Sequence, residues 1–276
     1  MTKLSTLVKS VLAEITISPI IRYAPTESDE PVLNVASVYS VQAFLLYTFW
    51  PPLTSSLSAD TSWNTIGCAM FQAIRVGLNS AQFSTEYANA NSELISEQIR
   101  TWVCCNIVSQ TIASSFGFPV FVSFDHTVIN TCKISSNAAD QHNLVVPRSI
   151  KQMMQIAHFE NQLTETMNSN PLHATGMVSG DEKLPLLHVL NQQLGELEIR
   201  LQNSGVDNIR KFLLLVAKVH LLTYYFTDAC PTQRKSDSDI HGLSVREIET
   251  KFEIKRGLVK VYNAAVELLS HANAMW

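Results

Sequence analysis

Five leucines, Leu187, Leu190, Leu194, Leu197 and Leu201, recur at alternating spacings of three and four residues. An α-helix, at ~3.6 residues per turn, gathers such a set onto one face, whereas a strand would need alternation by two. The seam covers two heptads. That is too short for an independent coiled coil, so the ordinary reading is a core helix of a bundle.

The same period recurs along most of the chain. Leu4, Leu7, Val11 and Leu12 share a face in a helix over about Lys3 to Ile15. A second helix, from about Val35 to Phe49, is stopped by Pro51-Pro52, because proline lacks the N–H and disfavours helix in the residue before it. A third opens at Ser62 as its N-cap and turns Ile66, Met70, Ile74 and Leu78 one way. Ser92 to Phe116 reads as one long helix, ended by Gly117 in a left-handed cap and by Pro119. Arg148 to Met167 follows, with Ile150, Met153, Met154 and Ala157 inward.

Asp207 caps a further helix, Asn208 to about Thr227, which is apolar nearly all round and therefore expected in the middle of a domain. Ser244 and Glu247 form a capping box that launches the last helix, with Leu258, Tyr262, Ala265, Val266 and Leu269 inward. Loops are expected over Asn168 to Leu184, which contains Pro171, Gly176 and Gly180, and over Thr232 to Gly242. Val120 to Phe124 alone alternates like a strand. The fold class that results is all-α, an irregular multi-helix bundle. It forms one domain over 1–276, divisible into sub-lobes 1–167 and 185–276.

Composition narrows the function. Of 276 residues 46% are hydrophobic but only 16% charged, below the usual quarter of a globular chain, so much helix surface is expected to be covered. The formal net charge is -4 and no basic stripe is visible, which argues against DNA binding by this segment itself. Cys68, Cys104, Cys105, Cys132 and Cys230 are odd in number and show no C-x-x-C spacing. They read as reduced core thiols in an intracellular protein rather than as a zinc site or a disulfide framework. The start shows no signal peptide, and the most apolar run, Phe212 to Phe226, is interrupted by Lys218 and His220 and is too short to span a membrane.

No dinucleotide fingerprint, P-loop, nucleophile elbow or H-E-x-x-H motif occurs. The eight histidines are scattered, and no acid-rich metal motif lies on any helix. Nothing here supplies the constellation that a helical enzyme requires, so the chain is read as not an enzyme.

Two stretches, in order, carry a family resemblance. Ser62 to Asn79 resembles the small-residue helix, with a Gly-Leu exit, of the fungal-specific transcription factor domain. That domain is the middle, regulatory region of fungal binuclear-zinc-cluster transcription factors. Glu97 to Trp102, followed by Val103 to Pro119, resembles that family's arginine-tryptophan helix closing on Gly-x-Pro. Three positions depart from the pattern. Asn79 stands where the family has histidine, Val103 where it often has a second tryptophan, and Ser109-Gln110 where it often has an Asp-Arg pair. The resemblance covers about Pro31 to the end.

Phe49 to Ser56, Gln98 to Pro119 and Ala217 to Phe226 are most similar to the subgroup that regulates leucine and branched-chain amino-acid biosynthesis. The resemblance implies a nuclear regulator that takes α-isopropylmalate as effector and switches between repression and activation. A neighbouring subgroup, responsive to weak organic acids, is similar too. Both imply a small carboxylate. Zinc and DNA contact are expected only in the zinc-cluster domain absent from this chain, with no cofactor in this segment. An activation segment or co-regulators are the implied protein partners, a homodimer stays open, and no membrane is involved. A ligand-free dimerisation or co-regulator scaffold is the competing reading.

A carboxylate taken out of water needs guanidinium, ammonium, imidazole or hydroxyl donors beside an apolar patch. Basic residues inside apolar helices are the candidates: Arg75, Arg100, Lys218 and His220, with Tyr224 one turn beyond His220, and more weakly Arg148. Four of them also have a structural reading: Arg75 and Arg100 as ion pairs or snorkelling side chains, Lys218 as the one exposed edge of its helix, and His220 as a hydrogen-bonded core group.

Overall fold

A computed structural model describes residues 2–17, 37–51, 60–80, 92–125, 128–129, 146–173, 176–226 and 245–275. Among the described residues there are eight α-helices and no strand. They are α1 (Thr2–Ile17), α2 (Val38–Phe49), α3 (Ser62–Arg75), α4 (Ser92–Phe116), α5 (Arg148–Met167), α6 (Gly180–Asn203), α7 (Asn208–Thr223) and α8 (Val245–Met275). A 3-10 turn, Tyr224–Phe226, comes after α7. The all-α class is what the periodicity implies.

Two compact units divide the chain, residues 1–158 and 159–276. The division falls inside α5 and not in the loop after it, where the sequence puts the border between sub-lobes 1–167 and 185–276. The last turns of α5 belong to the second unit. Phe159, Leu163 and Met167 are buried, Met167 O accepts from Val178 N at 3.0 Å, and Glu160 meets His220.

In the first unit, α2, α3 and α4 pack on one another. Each supplies a stripe at helical spacing: Val41, Phe44 and Leu45; Ile66, Ala69, Met70 and Ala73; Trp102, Cys105 and Ile112. Burying a side chain such as Ile66 or Phe44 is worth about 1.5–3 kcal/mol relative to leaving it in water. Helix α2 begins with a capping box in which Ser37 Oγ accepts from Ser40 N and Ser40 Oγ accepts from Ser37 N. Ser62 is not the cap of α3: Thr61 holds that position, and Asp60 accepts the Ser62 amide instead. Of the face expected on α1, only Leu12 is buried; Leu4, Leu7 and Val11 are exposed.

Gly117 ends α4 in the left-handed region, at φ 69°, as the Gly-x-Pro stop demands. The segment after it is not a strand. Phe121 stacks on Trp63 of α3 at a ring separation of 4.3 Å, Phe118 meets the same ring tilted at 4.8 Å, and the Trp102 indole donates to Asp125. Its alternation reflects aromatic side chains laid onto helices, with no partner strand among the described residues.

In the second unit all five seam leucines of α6 are buried. Helix α6 starts at Gly180, inside the expected loop, and carries Pro185 within it. Asp181 and Glu182 favour that start by placing negative charge at the positive end of the helix dipole. Asp207 caps α7 by accepting from Arg210 N. Leu214, Leu215, Ala217, Leu221 and Leu222 of α7 are buried, as its composition implies. The capping box at Ser244 and Glu247 and the loop over Thr232 to Gly242 lie outside the residues whose side chains are described.

The inward face of α8 differs from expectation. Gly257, Val261 and Ala264 are buried, whereas Tyr262, Val266 and Leu269 are exposed. Two apolar faces run along this helix, and the period alone does not say which one meets the core.

Candidate functional site

Helices α2, α4 and α5 leave a groove of about 520 Å³ in the first unit. That lies within the range of small-molecule sites. Its apolar wall is built by residues one turn apart: Leu45 and Phe49 on α2, Cys104 and Ile107 on α4, Ile150 and Met153 on α5. Trp50, the C-cap of α2, stands at the lip with its ring edge-on to Phe49.

One end of the groove is polar. Glu97 and Arg100, a turn apart on α4, form an ion pair. The Gln42 side-chain amide, reaching from α2, donates to Glu97 and, at 2.9 Å, to Thr101 Oγ1. Thr101 Oγ1 in turn donates to the Glu97 carbonyl. Among the described lining residues Arg100 is the one cation and Glu97 the one anion, so their charges balance. Cys104 lies a turn deeper. Burial pushes its thiol up to about 11, with the Glu97 carboxylate adding to the rise and Arg100 opposing it. The thiol is therefore neutral at physiological pH and acts as part of the apolar wall rather than as a nucleophile. Chemically, the groove offers an apolar cleft with a guanidinium, an amide and a hydroxyl at one end. That arrangement suits a small molecule with a polar head and a branched or flat apolar body.

Of the candidates that the sequence singles out, Arg100 alone lines this groove. Arg75 is exposed in the last turn of α3, and Arg148 is exposed at the start of α5. The other three belong to the second unit. Lys218 lies 3.9 Å from Glu198 and 3.7 Å from Glu267, linking α7 to α6 and α8. His220 Nδ1 is 2.9 Å from the buried Glu160 carboxylate. The Tyr224 hydroxyl is hydrogen-bonded by the Asn168 side chain, and burial raises its pKa. These three are engaged by other side chains.

Sequence reasoning misses Gln42, Glu97, Thr101 and Trp50. Only the i, i+3 pairing of Glu97 with Arg100 was there to be seen. Among the described residues no group of three or more metal-ligating side chains occurs, and no helix is long and apolar enough to cross a membrane.

Over its whole length the chain is 68% identical to Regulatory protein LEU3 of Saccharomyces cerevisiae, and it spans 31% of that protein. A second relative, SEF1 of Eremothecium gossypii, named as a candidate transcription factor, is 22% identical over 71% of this chain and 18% of its own length. No family model matches the chain, and no solved structure matches it.

Proposed function

We propose, from the premise that this chain is a homologue of fungal transcription regulators and not an enzyme, that it is the effector-responsive region of a nuclear regulator of leucine and branched-chain amino-acid biosynthesis. The groove at Arg100 receives a small carboxylate, with α-isopropylmalate favoured. DNA contact and zinc belong to another part of the same polypeptide, and co-regulators read the state of this region. The observation that carries the effector reading is the placement of Arg100, Gln42 and Thr101 at one end of an otherwise apolar cleft. A guanidinium there can hold a carboxylate by charge-assisted hydrogen bonds, while Leu45, Ile107 and Met153 accept an isopropyl group. The ligand shifts the population of the protein toward whichever arrangement holds it better.

A second reading rests on the charge count. Glu97 already balances Arg100 among the described lining residues, so a dicarboxylate brings two uncompensated charges into the groove and a monocarboxylate with a flat apolar tail only one. That favours the weak-organic-acid class.

Thermal-shift titration with α-isopropylmalate and with sorbate tests both. Saturation at a hundredfold excess over Kd adds about 2.7 kcal/mol of apparent stability. A shift with α-isopropylmalate that Arg100→Met abolishes supports the first reading. A shift with sorbate alone moves the assignment to the second, and no shift with either removes the effector role.

A further inference from the structure

The outer face of α8 is a coiled-coil seam that no described residue covers. Ile248, Phe252, Val259, Tyr262, Val266 and Leu269 are each between 45% and 70% exposed. They fall at the a and d positions of one heptad register, with Phe252, Val259 and Val266 as a and Ile248, Lys255, Tyr262 and Leu269 as d. The opposite side of the same helix, Gly257, Val261 and Ala264, is the one buried in the second unit. Single exposed apolar residues are normal on a protein surface, but a continuous strip is a mark of an interaction site.

We propose that this seam pairs with the same seam of a second copy of the chain, the two helices running antiparallel. Area supports that occupant, and charge selects the direction. The six side chains leave on the order of 700 Å² of surface in water, close to the ~800 Å² that each partner gives to a standard-size interface.

In a parallel, in-register pair Lys255 would face Lys255 of the other copy inside the seam, and Lys251, at g, would face Arg256 at e. Both contacts are between like charges, which are costly at an interface. Antiparallel pairing about a two-fold axis between Val259 and Tyr262 removes both. It sets Val259 against Tyr262 of the second copy, Phe252 against Leu269, and Lys255 against Val266. The flanking e and g positions of the C-terminal half, Asn263, Ala265, Ser270 and Ala272, are uncharged and can receive the charged N-terminal half.

Sedimentation equilibrium of the full chain at tens of micromolar, with and without the seam, tests the proposal. The expected result is twice the mass of one chain for the wild type and a single mass for Val259→Glu, with helicity retained and Tm no longer dependent on protein concentration. If Val259→Glu fails to fold, Leu269→Glu, nearer the end of the helix, serves in its place. Oxidative cross-linking gives the direction. Phe252→Cys with Leu269→Cys should form a covalent dimer above the wild-type background, and Phe252→Cys alone should not. A monomeric wild type overturns the proposal and leaves the seam to another segment or another protein. A dimer that survives both glutamate substitutions overturns the surface, and cross-linking by Phe252→Cys alone overturns the antiparallel direction.

Discussion

Gly257 of α8 lies directly against the ring of Tyr225, so closely that a Cβ at residue 257 would overlap its Cδ1 and Cγ. The glycine is therefore a packing requirement in the middle of a helix, where it costs up to ~1 kcal/mol relative to alanine in propensity. Overpacking costs about 1–3 kcal/mol, so Gly257→Ala should lower stability by a net ~1–2 kcal/mol in chemical denaturation. In a Tyr225→Ala background the same substitution should become stabilising, because only the propensity gain remains. A loss of equal size in both backgrounds would contradict the contact.

Gly117 and Gly195 should respond to alanine with opposite signs. Neither would bring a Cβ within 4 Å of a neighbour, but Gly117 has φ +69° and Gly195 sits inside α6. Gly117→Ala is expected to destabilise by about 1–2 kcal/mol through left-handed backbone strain. Gly195→Ala should stabilise by about 0.5–1 kcal/mol through helix propensity. Paired thermal melts give both signs.

Glu160 is 5% exposed, and its carboxylate meets His220 Nδ1. Removing the imidazole strips a buried carboxylate of that hydrogen bond, at a cost of about 1–3 kcal/mol. His220→Ala should therefore destabilise clearly. A Glu160→Gln change, which keeps a hydrogen-bonding oxygen in place, should cost less. Because this pair lies in the second unit and the groove in the first, ligand shifts measured on His220→Ala should match those of the wild type.

Burial raises the pKa of both adjacent thiols, Cys104 to about 11 and Cys105 further still. Thiolate is the reactive form, so Cys104 should be labelled slowly at neutral pH, with a rate that climbs as pH approaches 11. Cys105 should stay silent until the protein unfolds. The unfolded thiol ionises first, near its ordinary value of 9.0. The contribution of Cys104 to stability is therefore complete below that pH and is lost as pH rises from about 9 toward 11. Mass spectrometry of alkylated peptides across that range checks both thiols. A small molecule seated in the groove should slow labelling of Cys104.

Helix bounds are most readable where stop signals are local. Gly117 and Pro119 mark the end of α4 to the residue, and the leucine period of α6 identifies a buried face correctly. The start of α6 is hidden because Gly180 and Pro185 read as loop punctuation, whereas Asp181 and Glu182 support a helix start that tolerates them. The alternation around Phe121 has the period of a strand, yet it records aromatic contacts with Trp63 that no local pattern announces. On α8 the a/d seam is visible, but periodicity fixes which residues share a face and not what that face meets. The same limit applies to the groove. Arg100 stands out as a cation in an apolar run, while Gln42 matters only because α2 packs beside α4, and Gln42 and Thr101 are 59 residues apart in sequence.

The position of Trp50 at the lip of the groove has an optical consequence. Trp102 is buried in the core and Trp63 packs against Phe118 and Phe121, so both emit from apolar surroundings. Trp50 is 62% exposed and emits from water. Excitation at the red edge of the indole band selects such a solvated ring. With Trp276→Phe removing the fourth tryptophan, a molecule settling into the groove would dehydrate Trp50 and move that emission to the blue, which makes the ring a fluorescent reporter of occupancy.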